Sequence, residues 1–448
     1  MCTAALIGPS ALALLLALPV PWQDDRPVEL ERKAARALER LVRDWFEERP
    51  ATRLEAWDPE ARAELVERAR ELGTLPPVDS SWLGELLLEA ARDGADTWKP
   101  RRGKVEYETP WGDAWAYVEG DDAADLLLGL HGGGEGVGDA GASRSNWALE
   151  DAVGIYPQAI RLYGDAWNTP QGERFCLTLI EHAKLHLGVD PDRVYVAGFS
   201  MGGTGSWHLA GRYPDLFAGA IPAHGVIMAS PKAQLASATE VRAMQHGLLP
   251  NVRNLPVYCY TGSADVNCMP GTFVYAQQQL ARLAAADPGG YEHFEFTLHP
   301  GLDHSFPPGE PAAGLEWVRG FRRDSFPETL VWEFASDPFP QRREGDPQGR
   351  LEQRDFYWLS CDSPADLMRV RAERDGARIT LDVRGADVGD FSIWLNDALA
   401  PRGTEVTVVD AGGRELYRGV PEPRYEHLLE SFDRRVDTTL LFDRRIEL

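Results

Sequence analysis

The feature that most constrains this chain is the stretch Gly198-Phe199-Ser200-Met201-Gly202, which fits the pattern G-x-S-x-G. A short β-branched and aromatic run, Val194 to Ala197, precedes it, and the segment from Met201 through Leu209 can form a helix. In the order strand, sharp turn, helix, the pattern is typical of a nucleophile elbow, whose strained backbone projects a serine hydroxyl above a sheet. The context predicts that Ser200 is a nucleophile, although the pentapeptide alone also fits an ordinary turn.

A serine hydroxyl is a weak nucleophile near neutral pH and needs a neighbouring base, which in turn is oriented by an acid. In this kind of fold both partners come later in the chain, the acid before the histidine. Asp265 follows the strand-like run Leu255 to Tyr260, and His304 follows the run Phe294 to Leu298. Because the carboxyl ends of parallel strands share one edge of a sheet, we expect these side chains to reach Ser200.

Other polar residues are weaker candidates. His299 stands at a strand end, where it is less free to reach the serine, and Asp303 adjoins His304 and could hardly face its ring. His131 is expected to hold a loop by hydrogen bonding, and His208 to lie in a helix near the core. His224 ends a strand and receives no role. The sequence shows no metal constellation and no phosphate-binding fingerprint, so we expect no cofactor.

A glycine run, His131-Gly132-Gly133-Gly134, follows the nearly continuous apolar run Ala124 to Leu130. An oxyanion loop belongs at this place, because glycines there let backbone N–H groups point at a substrate oxygen, with the amide of Met201 as the second donor. A flexible turn is the alternative. Trp147 and Trp167 lie between this run and the elbow, where they are expected either to line a substrate pocket or to pack in the core.

The chain has 448 residues, too many for one compact core, and its patterns change along its length. We expect a signal or N-terminal anchor at 1–24, a helical region at 25–99, a catalytic domain at 100–326 and a β-rich module at 327–448. Alternating strands and helices in the third segment predict an α/β fold, a mainly parallel sheet with helices on both faces. Short strands with Asp-Gly, Arg-Gly and Gly-Gly turns predict a small antiparallel module at the end.

Charge and targeting signals limit the partners and the location. The net charge is −24 with scattered basic residues, so nucleic acid is not expected as a partner. The apolar run Ala11 to Leu18 resembles a secretory signal, which predicts export to the periplasm or the extracellular space, although no Lys or Arg precedes it. Nothing later is apolar for long enough to span a membrane. Cys259 and Cys268 could pair in an exported protein, but buried free thiols are the preferred interpretation.

Four stretches together resemble one known group of proteins. These are the glycine run, Val189-Asp-Pro-Asp-Arg-Val-Tyr195, the elbow through Trp207, and Tyr213-Pro-Asp-Leu-Phe-Ala-Gly-Ala220. They resemble the secreted esterase and predicted-peptidase branch of the α/β-hydrolases, near the feruloyl and polyhydroxyalkanoate-depolymerase-like esterases. The resemblance covers roughly 101–324. It implies Ser200 as the nucleophile, Asp265 and His304 as its partners, and the amides of Gly133 and Met201 as oxyanion donors.

These features predict a serine esterase that acts through an acyl-enzyme on a small-molecule or polysaccharide-linked ester, with its oligomeric state undetermined. A serine peptidase with the same machinery is one alternative. A non-catalytic protein that binds a carbohydrate or a surface through the C-terminal module is another. The long segment between Gly136 and Gln171 would decide the pocket, and it carries no motif that selects one ester.

Overall fold

The computed structural model describes residues 29–53, 55, 57–95, 102–109, 113–120, 123–133, 138–160, 166–227, 248–334 and 353–448. The expected signal at 1–24 and Gly134 of the glycine run lie outside the described residues, so those two predictions stay untested. No helix within the described ranges is long and apolar enough to cross a membrane.

An eight-stranded sheet forms the centre of the protein, in the order β1-β2-β4-β3-β5-β6-β7-β8. Six strands, β3 to β8, run parallel, whereas β2 is antiparallel to β4 and β1 is antiparallel to β2. This confirms the predicted α/β class. The strands are β1 Gly103–Tyr107, β2 Ala114–Glu119, β3 Leu126–Leu130, β4 Val153–Pro157, β5 Val194–Phe199, β6 Gly219–Ala223, β7 Val257–Gly262 and β8 Phe294–His299.

Strand β5 lies in the middle of this sheet and is buried along almost its whole length. Side chains on strands buried from both sides are apolar throughout, which explains the continuous run in β3. Helices accompany the strands along the chain. They are α4 Ala140–Asn146, α5 Pro170–His186, α6 Met201–Arg212, α7 Gly271–Ala286 and α8 Glu310–Arg319.

Three helices precede the sheet, as the spacing of their apolar residues predicts: α1 Arg32–Glu48, α2 Pro59–Glu71 and α3 Ser80–Gly94. Asp58 and Asp79 cap α2 and α3 by accepting bonds from backbone amides of the first turn. The apolar faces of these helices share one core with a later helix, α9 Tyr425–Arg435. The helical region is therefore tied to the C-terminal part of the chain.

The C-terminal part contains two further sheets. One has four strands in the order β10-β11-β14-β17 and the other has five in the order β16-β15-β13-β12-β9. Only the β13–β15 pair is parallel among the strand pairs described there, so the module is mainly but not entirely antiparallel. The strands are β9 Thr329–Glu333, β10 Asp355–Phe356, β11 Leu359–Cys361, β12 Arg369–Asp375, β13 Arg378–Arg384, β14 Phe391–Leu395, β15 Val406–Asp410, β16 Glu415–Gly419 and β17 Arg444–Glu447.

Buried charges join the C-terminal part to the central sheet. The carboxylate of Asp437 is fully buried and pairs with Lys184 of α5 at 2.6 Å and with Arg323 at 2.9 Å. Arg435 of α9 reaches Asp215 at 2.6 Å, also in a buried position. Because buried charges are costly unless they are paired, these contacts make the C-terminal residues part of the packed body of the protein.

Candidate active site

Ser200 lies at the sharp turn between β5 and α6, as the sequence predicts. Its φ of 59° is a left-handed value that non-glycine residues rarely adopt, and its amide donates to the carbonyl of Ala223 at 3.0 Å. The flanking glycines are required by close packing. A Cβ at Gly202 would overlap the carbonyl of Leu130, and one at Gly198 would overlap the backbone of Gly202. The backbone thus holds the hydroxyl at the carboxyl edge of the sheet.

The two predicted partners meet Ser200 there. The Oγ atom of Ser200 lies 2.8 Å from Nε2 of His304, and Nδ1 of His304 lies 2.8 Å from Oδ2 of Asp265. Asp265 follows β7 and His304 follows β8, so the loops after two neighbouring parallel strands supply them. The side chain of Asp265 is fully buried, whereas that of His304 is 15% exposed.

Asp265 is held by more than His304. Its Oδ1 accepts the backbone amides of Asn267 at 2.9 Å and Cys268 at 2.8 Å, and its Oδ2 also receives Nδ1 of His224 at 2.7 Å. Burial alone would raise the pKa of Asp265, but the hydrogen bonds from His224, His304 and the Cys268 amide outweigh it and lower the pKa below its usual value. Asp265 is therefore ionised throughout the neutral pH range.

His224 is the residue at this site to which the sequence analysis gave no role. It comes directly after β6, a position shared by many polar residues that only end a strand. The chain position of His224 gave one indication of a role, because the loops after β5, β7 and β8 supply the other three side chains. Chain order alone does not show that a fourth loop turns its side chain toward Asp265.

The glycine run lies against the elbow. A Cβ placed on Gly132 would come within 3.4 Å of the Cβ of Ser200, and Gly133 has a φ of 129°, which suits glycine. His131 secures this loop, because its Nδ1 lies 2.7 Å from the carbonyl of Gly132 and its Nε2 accepts the amide of Ala159 at 3.0 Å. The glycine loop therefore lies directly beside the serine.

The two tryptophans pack in the core and do not line a substrate pocket, which was one of the two roles predicted for them. Trp147 and Trp167 are fully buried, so neither offers surface to a substrate, and the interpretation of them as pocket residues is wrong for this structure. Trp147 packs edge-on against Phe306. Trp167 donates its indole N–H to the carbonyl of His131 at 3.0 Å and so supports the glycine loop from behind.

Other residues form the surroundings of the hydroxyl. The rings of Phe199 and Phe306 lie 4.2 Å apart, and Phe199 also contacts the ring of His304 at 4.9 Å. Cys268 places its Sγ 4.0 Å from Oγ of Ser200, and burial raises the pKa of this thiol to about 12. The four cysteines within the described residues are all free and buried, so Cys259 and Cys268 do not pair.

His224, Asp265 and His304 offer ligand atoms within 4.8 Å of one another, a spacing that a bound metal ion could also produce. The two Nδ1 atoms lie 2.7 and 2.8 Å from one carboxylate oxygen. Neighbouring ligands of a tetrahedral zinc ion are about 3.3 Å apart, given bond lengths near 2.0–2.1 Å. The shorter separations are those of hydrogen bonds, and Nε2 of His304 is already directed at Ser200.

Comparisons with known proteins found one family model and a set of solved structures. Residues 139–326 match the model of a family described as "Putative esterase". Among solved structures, a thermostable esterase is 18% identical with a TM-score of 0.36 over 49% of this chain and 62% of its own. An acetyl xylan esterase from Paenibacillus sp. R4 is 14% identical (TM-score 0.36; 49% of this chain, 83% of that chain). The esterase Est2 from Thermogutta terrifontis is 17% identical (TM-score 0.33; 49% and 91%).

The chain thus spans 62% of the length of the thermostable esterase. No protein of curated function matches the sequence. The family match covers α4 through α8, which includes the elbow and both loops that carry Asp265 and His304. The family match therefore makes residues 139–326 similar to an esterase family over the stretch that carries the elbow, Asp265 and His304.

Proposed function

We propose that this protein hydrolyses carboxylic esters through an acyl-enzyme on Ser200. The Oγ atom attacks the ester carbonyl carbon while Nε2 of His304 takes the hydroxyl proton. The tetrahedral intermediate then collapses, its carbon–oxygen bond to the alcohol breaks, and His304 returns the proton to the leaving alkoxide. A water molecule, deprotonated by His304, then attacks the carbonyl carbon of the acyl-enzyme. The second tetrahedral intermediate collapses, its bond to Oγ breaks, and His304 returns the proton to Ser200 as the carboxylic acid leaves.

The observation that carries this proposal is the continuous hydrogen-bonded chain from Ser200 through His304 to Asp265, with both links at 2.8 Å. The first link allows proton transfer without rearrangement, because its length is within the range required of a general base. The second fixes the tautomer of His304 with its proton on Nδ1. The lowered pKa of Asp265 keeps the carboxylate charged when His304 becomes an imidazolium.

Two backbone amides complete the proposed machinery. Met201 is the first residue of α6, and the amides of the first helical turn have no partner within the helix. This amide and that of Gly133 are proposed to bind the oxyanion, helped by the positive end of the helix dipole. Loss of one such donor typically raises the barrier by about 3 kcal/mol.

The choice of ester is not encoded in the triad. A polysaccharide-linked ester and export of the protein both remain predictions.

The test compares hydrolysis of p-nitrophenyl acyl esters, methyl ferulate, acetylated xylan and aminoacyl anilides by wild type, Ser200→Ala and Ser145→Ala. Ser145 is an exposed serine on α4 and serves as the matched control. We expect esters to be hydrolysed, with activity lost roughly 10⁴-fold or more in Ser200→Ala and kept in Ser145→Ala. Cleavage of the anilides alone would establish a peptidase instead. An inactive wild type, with its fold intact, would favour the non-catalytic alternative.

A further inference from the structure

His224 has an unusual backbone for a residue with no assigned role. It follows β6 with a φ of 48°, in the left-handed region that a non-glycine residue enters only at some cost. Its amide is fixed by a bond to the carbonyl of Tyr260 at 2.8 Å. Strained residues of this kind persist where the surrounding structure holds them, and they concentrate at functional sites.

The turn at His224 is locked onto the elbow helix. The amide of Ser200 bonds to Ala223, and the amide of Val226 donates to Oγ1 of Thr204 at 3.1 Å. A Cβ on Gly225 would overlap the backbone of Gly203, so the two backbones are in direct contact. The position of the His224 ring is therefore set by the same segment that sets the nucleophile.

The ring completes the coordination of Asp265. A carboxylate offers about four acceptor positions. Two backbone amides occupy Oδ1, and the Nδ1 atoms of His304 and His224 occupy Oδ2 at 2.8 and 2.7 Å. With His224 in place, all of these acceptor positions are occupied, so the carboxylate cannot rotate without breaking hydrogen bonds.

His224 donates to this carboxylate as a neutral imidazole. Its side chain is fully buried, and its Nε2 has no hydrogen-bond partner among the described residues, so a second ring proton there would be unpaired. Burial lowers the pKa of His224 despite the nearby carboxylate. The proton therefore stays on Nδ1, directed at Asp265, while the other face of the ring packs against Phe199 and Tyr260.

We propose that His224 is a positioning residue that holds the Asp265 carboxylate in the orientation that His304 requires and shares its negative charge. This inference rests on the proposed function, because it assigns His224 to the same site. Since His224 takes one of the two bonds to Oδ2, less of the charge is available to the imidazolium form of His304. Within the described residues, the other titratable groups around this pair are Cys268, Tyr260 and His299, the last of which pairs with Glu310 at 3.3 Å.

The first test measures the pH profile of kcat/KM for wild type, His224→Leu and His224→Asn. Leucine removes the donor and excludes water, whereas asparagine keeps a neutral N–H donor and tolerates the left-handed backbone. In His224→Leu we expect kcat to fall about 10- to 100-fold with little change in KM, because the carboxylate is no longer fixed. The acid limb should move to higher pH, since Asp265 then favours protonated His304 more strongly. His224→Asn should restore most of both.

A purely structural role would lower the amount of active protein without moving the acid limb, and asparagine would rescue no better than leucine. That result would overturn the proposal. If His224→Leu does not fold, His224→Gly replaces it, because glycine accepts the same backbone and also lacks the donor.

A second test does not depend on activity. In wild type with ¹⁵N-labelled histidine, NMR should show exchange-protected imidazole Nδ1–H protons for both His224 and His304, beside that of His131, and the resonance of His224 should vanish in His224→Asn. An unchanged set of these resonances in His224→Asn would refute the role of His224. Failure to hydrolyse any ester, with both protons present, would instead count against the proposed function alone.

Discussion

The buried carboxylate of Asp437 allows a sharp prediction about what holds the C-terminal part of the chain in place. Its Oδ2 binds Lys184 at 2.6 Å and Arg323 at 2.9 Å, and its Oδ1 accepts the amides of Thr439 at 3.0 Å and Leu440 at 3.1 Å. The substitution Asp437→Asn keeps the shape and can still accept from both amides. It removes the negative charge that two buried cations share and replaces the acceptor Oδ2 by an N–H donor that cannot accept from either cation.

The size of the effect depends on which ion-pair partners Arg323 and Lys184 retain after the substitution. Arg323 keeps Asp192 at 2.7 Å, so it retains a partner after the substitution. Lys184 has an almost fully buried side chain and makes its one described ion pair with Asp437. Removing one member of a buried pair typically costs 3–5 kcal/mol, because the other charge stays buried without compensation. We therefore expect the free energy of unfolding to fall by about 3–5 kcal/mol in Asp437→Asn.

The assay is urea denaturation at pH 7, with Asp382→Asn as the control. Asp382 pairs with Arg384 at a largely solvent-exposed position, where such pairs contribute about 0–1 kcal/mol. Adding Lys184→Met to Asp437→Asn should recover part of the loss, since the unpaired charge is then gone. The reasoning is refuted if Asp437→Asn is no less stable than the control, or if the second substitution makes it worse.

Three further results are expected. Asp287 joins Arg253 of the central domain to Arg371 of β12, and although burial raises its pKa, the bonds from both arginines lower it to about 2. Its contribution to stability is thus present above about pH 4 and lost as the pH falls toward 2. The substitution Asp287→Asn should therefore lower the free energy of unfolding by about 1 kcal/mol at pH 7. This is contradicted if the difference in urea midpoint between wild type and Asp287→Asn does not shrink on acidification. Gly225→Ala should lower stability by about 1–3 kcal/mol and reduce esterase activity, because the new methyl group overlaps the elbow helix; wild-type values of both would show the contact is not tight. Iodoacetamide should leave the activity unchanged, because burial keeps the Cys268 thiol protonated, and inactivation with Cys268 alkylated would disprove that.

Much of the site was predictable because it follows from chain order. Ser200, Asp265 and His304 each come after a strand that the apolar pattern reveals, and parallel strands bring their carboxyl ends together. The strand Val153–Pro157 was missed, because its Gly and Pro residues weaken the strand pattern in a segment with no other signal. His224 was missed because its direction depends on a left-handed backbone that packing imposes.

The C-terminal part shows a different limit. The aromatic and apolar run Phe356 to Ser360 has the composition of one strand but forms a hairpin, because Tyr357 adopts a φ of 53° and turns the chain between β10 and β11. Helix α9 was not predicted. Its buried residues Leu428, Leu429 and Phe432 have the spacing of one helix face, but the segment stands among turn-rich strands. Their packing against the N-terminal helices is what identifies this face as buried.

We predict that the C-terminal part has only a minor role in the chemistry. The same packing determines how this prediction can be tested. Deleting residues past Pro327 would leave Lys184, Arg323 and Asp215 as buried charges without their C-terminal partners. Loss of activity in such a deletion would then report unfolding. Substitutions in the C-terminal sheets, away from these ion pairs, are the informative test, and we expect them to leave kcat unchanged.

The central claim is that Ser200 forms a covalent intermediate. Its most direct test is to react wild-type protein with a fluorophosphonate and to locate the adduct by mass spectrometry of the peptides. We predict one adduct, on the peptide that contains Ser200, and none in Ser200→Ala. A folded wild-type protein that remains unlabelled, or that carries its adduct on another serine, would contradict the account.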